Sequence, residues 1–281
     1  MSESDIDARG LRPATRERYS HTGDTGLDAD LVRRTAEQRG RFFLQHLRPG
    51  MRVLDCGCGP GAVTVGLAQA VGHGEVVGVD IEARQVEAAR ALAIQRGVGN
   101  ARFETASVYE LPFPDQSFDA VYSQALLLHL AEPGEALKEM RRVLRPGGFA
   151  GVADGDLGFV LVAPPSAALD RLVSLLTRGM AFYGANPFYA RHLRPMLHQA
   201  GFQPTEAGGE IYGFGSGDAA GRQAVEQLRI RFQGPIQRAV IEQQWATEAE
   251  IDALYGDLET WSQQPDTFVG FTLCWGLGWV R

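Results

Sequence analysis

The sequence predicts a doubly wound α/β fold built on a mostly parallel sheet. Three observations carry this expectation: short strand-like runs alternate with helical periodicity through the first half, a glycine-rich turn joins the first run to a helix, and an acidic residue ends the second run. At 281 residues, 44% hydrophobic and 22% charged, the chain can bury a substantial core. It fits one α/β domain with insertions better than two large domains.

The elements follow in order. Leu27, Leu31, Val32, Phe43 and Leu47 recur at roughly helical spacing and predict a leading helix from Leu27 to Leu47, which Pro49-Gly50 stops. A strand over 51–55, a glycine turn and a helix over 62–71 come next, then a strand over 75–80 and a helix over 82–96. Strands are expected at 101–104, 118–122 and 149–153, with a helix over 133–143 before the last. In the second half Leu169, Leu172, Val173, Leu176, Met180 and Tyr183 form a helical stripe, and a second helix is expected near 189–200. The runs 210–214 and 267–280 predict two antiparallel edge strands, separated by a helical insertion that carries Ile251, Leu254, Tyr255 and Leu258. The expected organisation is a tail over 1–26, a cofactor-binding core over 27–155, and the rest of the sheet over 156–281. Helical lids are expected at about 156–186 and 216–263.

Composition narrows the partners. A net charge of -7 without a basic run speaks against a surface that tracks nucleic-acid phosphates, so a small-molecule acceptor is the expected partner. No apolar run approaches the roughly 20 residues of a membrane span, and the polar N-terminus does not resemble a secretory leader. Cys56, Cys58 and Cys274 are an odd set with two inside one turn, which excludes a disulfide framework and suggests the cytoplasm. Cys56 and Cys58 lack the second pair of a zinc site, so no metal is expected.

Val53-Leu54-Asp55-Cys56-Gly57-Cys58-Gly59-Pro60-Gly61 ends a strand and opens a helix, so the backbone can pass close to a ligand. Asp80, about twenty residues on, can accept hydrogen bonds from both hydroxyls of a ribose. A nicotinamide enzyme is the runner-up, because Gly57-x-Gly59-x-x-Ala62 satisfies the relaxed dinucleotide fingerprint. Asp55 favours S-adenosylmethionine: its carboxylate would repel a pyrophosphate but can receive a methionine ammonium. Pro60 also removes an N–H that a pyrophosphate would use.

Together with Leu111-Pro112-Phe113, Ser117 to Val121 and Leu144 to Gly148, these motifs resemble the class I S-adenosylmethionine-dependent methyltransferases, especially the ubiquinone/menaquinone-biosynthesis-like group. The resemblance covers residues 41–153 and implies a seven-stranded sheet. It also implies that the Gly57, Cys58 and Gly59 turn lies against the methionine part, Asp80 holds the ribose, and Ile81 and Gln85 flank the adenine. Ser107 and Val108 stand where many relatives carry an acid that meets the adenine, and Ser107 is a weaker acceptor. Ser123 completes the expected cofactor set, and Tyr19 belongs to a stretch resembling one that closes over the cofactor.

Methyl transfer is an in-line displacement that positioning alone can accelerate, so a base is optional and no metal is required. For a hydroxyl acceptor, His129 is the leading base candidate, since it follows the fourth strand where ligands collect; packing or a cofactor contact is the competing role. Asp154 follows the fifth strand and is a second candidate, against a turn or cap role. Tyr183 is expected to touch a largely apolar acceptor. A cofactor-binding regulatory protein without catalysis is the non-enzymatic alternative.

Overall fold

The computed structural model describes residues 31–214 and 220–281. Strand β1 (Arg52–Cys56), helix α3 (Ala62–Ala70), strand β2 (Glu75–Asp80), helix α4 (Ala83–Gln95) and strand β3 (Ala101–Thr105) form the first half of the sheet. Two short helices precede them, α1 (Ala36–Arg39) and α2 (Arg41–Leu44). Strand β4 (Phe118–Gln124), helix α5 (Pro133–Val143) and strand β5 (Leu144–Ala163) continue it. Helices α6 (Ala167–Phe182) and α7 (Leu193–Gln199) lead to β6 (Thr205–Phe214). Helices α8 (Ala220–Phe232), α9 (Pro235–Glu242) and α10 (Glu248–Ser262) lead to β7 (Phe268–Trp279).

The seven strands form one sheet in the order β3-β2-β1-β4-β5-β7-β6. The first five pair in parallel, and β7 runs antiparallel to both β5 and β6. Helices cover both faces, which is why β1 and β2 read as nearly continuous apolar runs. One face packs Val53, Tyr122 and Phe149 against Phe42, Phe43 and Leu67. The other packs Leu54, Val77 and Val121 against Leu137, Met140, Leu169 and Phe202.

Four expectations need correction. Within the described residues the leading helix is interrupted over 32–35 and again at Gly40, where an added Cβ would lie 3.1 Å from Ala36 O. The fifth strand does not stop at Ala153 but runs on to Ala163, because β7 pairs with it past a register shift between Asp156 and Val160. The segment over 154–163 is therefore sheet. β7 is not an edge strand, since it lies between β5 and the outer β6. The helix expected near 189–200 is a 3-10 turn over Tyr189–His192 followed by α7.

The long antiparallel pair of β5 and β7 carries the sheet beyond the ends of β1 and β4. Helices α6, α8, α9 and α10 pack on one another beside this extension. Gly179 lets α6 approach α9 closely, since an added Cβ would meet Ile236.

Candidate active site

β1 ends on Asp55 and Cys56, and the chain then turns through Gly57, Gly59 and Gly61 at φ 73°, 50° and 81° before α3 begins. Those are left-handed angles that favour glycine. The N–H groups of Gly57 and Cys58 donate to Val79 O at 2.8 and 3.0 Å, which fastens the turn to β2. The Gly59 N–H donates to Asp80 Oδ2 at 2.9 Å and that of Glu82 to Asp80 Oδ1 at 3.0 Å, so both oxygens of Asp80 are oriented by backbone. Burial pushes the Asp80 carboxyl up, against those bonds.

Asp55 is 2% exposed and accepts the Thr64 hydroxyl at 2.6 Å. Burial pushes its carboxyl up to about 7, with the Thr64 bond opposing and the Asp80 charge adding. Both carboxyls open onto a cavity of about 320 Å³ at the carboxyl ends of the central strands.

Asp55, Gly57, Cys58, Gly59, Asp80, Ile81, Gln85, Ser107 and Val108 all line this cavity. Gln85 is buried and Ile81 is 52% exposed at the rim. The Ser107 hydroxyl accepts the Tyr109 N–H at 3.3 Å, which ties it into its own turn. Burial raises the Cys56 and Cys58 thiols well above the usual range, so neither is a reactive thiolate.

His129 ends a 3-10 turn over Leu127–His129 and lines the cavity with Nδ1 buried. The other candidates are placed differently. Ser123 lies off the cavity wall: Tyr122 and Gln124 line it, and strand alternation turns the residue between them to the opposite face. Tyr183 is also off the wall; its hydroxyl donates to Pro235 O at 3.1 Å and its ring meets Phe182 edge-on. Asp154 lies within β5, 1% exposed and behind the wall. Tyr19 lies outside the described residues.

The cavity wall also takes in Leu176 and Met180 from the helical stripe, together with Leu157, Phe271, Arg231 and Thr272, which the sequence did not single out. Arg34 and Arg39 also reach the cavity: Arg34 Nη1 donates to Gln124 Oε1 at 3.2 Å, and the Arg39 guanidinium lies 4.7 Å from the Tyr212 ring centroid. Among the described residues, no group of three His, Cys, Asp or Glu side chains could hold a metal ion.

Comparison with known proteins agrees with this geometry. Residues 53–148 match the methyltransferase domain family. A probable methyltransferase of Aspergillus luteorubrus is 30% identical over 264 residues, covering 88% of this chain and 91% of that protein. The 27-O-demethylrifamycin SV methyltransferase of Amycolatopsis mediterranei is 30% identical over 230 residues, covering 81% and 77%. The YcgJ structure from Bacillus subtilis superimposes with a TM-score of 0.58 at 21% identity, covering 86% of this chain and 97% of that one.

A glycine turn and an oriented carboxylate lie at the switch point of the seven-stranded sheet, and the relatives decide the family. The chain belongs to the class I S-adenosylmethionine-dependent methyltransferases.

The residues present fit that cofactor. An added Cβ at Gly59 would meet nothing nearer than Leu31 at 3.9 Å, so the turn leaves room for a ligand against its backbone. A carboxylate offers about four acceptor sites, so Asp80 keeps accepting capacity beyond the Gly59 and Glu82 N–H bonds.

Proposed function

We propose that the chain methylates a small, largely apolar organic acceptor without a metal, and that the cavity divides its work between two ends. The observation that carries this reading is where the walls come from: Asp55, the glycine turn and Asp80 belong to β1 and β2, whereas Leu157 and Phe271 belong to β5 and β7 across the sheet and Leu176 and Met180 to α6. S-adenosylmethionine, when bound, supplies a methyl group activated on a sulfonium.

In this reading Asp80 accepts from the ribose hydroxyls, Ile81, Gln85, Ser107 and Val108 surround the adenine, and Asp55 receives the ammonium. The cations of Arg34 and Arg39 suit the methionine carboxylate. At the other end α6 and α8 close over β7 and exclude water, with Arg231 and Thr272 as polar anchors for the acceptor. His129 takes the proton that a hydroxyl acceptor gives up, and the apolar wall holds that acceptor at attack distance.

The test is transfer of label from methyl-tritiated S-adenosylmethionine to a panel of apolar phenols, alcohols and amines, with and without a strong chelator. Labelled product that is insensitive to chelation is expected. Loss on chelation with rescue by magnesium, or turnover only with peptides or nucleic acids, would overturn the reading.

A further inference from the structure

The wall that carries His129 is built on an unusual backbone. Ala125 has φ 56°, a left-handed conformation that alanine rarely adopts, and Leu126 returns to the right-handed region at φ -111° and ψ -54°. Such a reversal turns successive N–H groups toward one concave side, where they favour an anion. The carboxyl of Asp154 lies beside that turn: burial pushes it up, and the N–H groups of Leu128, Leu126, Ala125 and Leu127 pull it down. Ala125 N–H is also joined to Ala153 O at 2.9 Å, which fastens the turn to β5 one residue before Asp154.

Asp154 is 1% exposed, and its Oδ1 makes no hydrogen bond. β4 and β5 pair Ser123 with Val152, so Ser123 and Asp154 share a face of the sheet, and the Ser123 hydroxyl is buried without a partner too. So is the hydroxyl of Tyr189, which feels the Asp154 charge. Burying a carboxyl costs stability unless it is hydrogen-bonded, so packing alone does not account for Asp154. Asp154 stands directly behind functional surface instead, since Ala125, Leu126, Leu128, His129 and Gly155 all line the cavity.

We propose that Asp154 is a positioning residue that grips the Ala125–His129 turn from behind and fixes where His129 meets the acceptor. Its grip on the turn is independent of the methyl-transfer reading; only the role of His129 rests on it. The titratable groups facing Asp154 are Tyr189 with Tyr109 beyond it, Cys274 across β7, Cys56 on the strand beside Ser123, and His129 on the turn itself; Asp156 is held by Arg191. Burial raises the Tyr189, Cys274 and Cys56 groups, and it raises Asp154 to about 8.

Amide and imidazole NMR of the full chain from about pH 6 to 10 tests this directly. The amides of Ala125 to Leu128 should titrate together with a midpoint near pH 8, and Asp154→Asn should abolish that step and shift the His129 ring resonances. Flat amides in the wild type, the same step in Asp154→Asn, or an unmoved His129 ring would overturn the proposal. If the Asn variant does not fold, Asp154→Ser and the wild-type titration decide. Stabilisation by S-adenosylhomocysteine, read separately as a rise in Tm, reports on the cofactor reading alone.

Discussion

At the scale of single residues, the proposed function gives two carboxylates different tasks. Asp80 is oriented by the Gly59 and Glu82 N–H groups, so its alignment toward a ribose needs no rearrangement on binding. Asp80→Ala should weaken S-adenosylhomocysteine binding by about 1–3 kcal/mol in calorimetry, because two hydroxyls lose a charged acceptor. Unchanged affinity in a folded variant would remove Asp80 from the site. Asp55, raised to about 7 by burial, binds an ammonium only as the carboxylate. Affinity for the same ligand should therefore rise up to about tenfold per pH unit below that value and level off above it, with one proton released per molecule bound. A profile that is flat between about pH 5 and 8 would show that Asp55 does not meet the ammonium.

At the scale of elements, strand parity and strand length decide what the sequence hid. The glycine turn and Asp80 were legible because the chemistry demands those residue types at neighbouring points of one βαβ unit. Ser123 lies off the cavity wall because alternation sends Tyr122 and Gln124 to the cavity and the residue between them away from it. The run Asp154-Gly155-Asp156-Leu157-Gly158 looks like a turn by composition, yet it lies in β5 because β7 supplies a partner along it. The apolar wall was legible only in part: the stripe held Met180, but Leu128, Leu157, Arg231 and Phe271 come from separate segments that only the tertiary fold unites with it. In α6, Leu176 and Met180 lie one turn apart on the cavity side, whereas Tyr183 caps the helix against Pro235. Met180→Trp should fill the apolar end and raise the acceptor's Michaelis constant by at least about tenfold, a change worth about 1.4 kcal/mol, while S-adenosylhomocysteine binds as before. Tyr183→Phe should leave both constants in place and cost about 1 kcal/mol of stability in urea unfolding, the loss of one hydrogen bond. A selective effect of Tyr183→Phe on the acceptor would return that residue to the site.

At the scale of the whole molecule, the sheet stores ionisable groups in places that suit binding better than stability. Asp55 and Asp154 are raised in the folded state from 3.8 to about 7 and about 8, so over that range the native protein holds more protons than the unfolded chain. Their contribution is complete below pH 3.8 and disappears as the pH rises through about 7 and 8. Tm should accordingly fall between about pH 5 and 9, and Asp55→Asn combined with Asp154→Asn should flatten the decline. A wild-type Tm that climbs across that window would refute this account of both carboxyls. The central claim is that one cavity holds the cofactor against the glycine turn and Asp80 and leaves its apolar end to the acceptor. A crystal structure with S-adenosylhomocysteine bound tests it most directly. The ribose hydroxyls should lie within hydrogen-bonding distance of Asp80, and the sulfur should face His129 and the wall of Leu176, Met180 and Phe271. An adenosine lodged among Leu176, Met180 and Phe271, with Asp80 making no contact to the ligand, would contradict it.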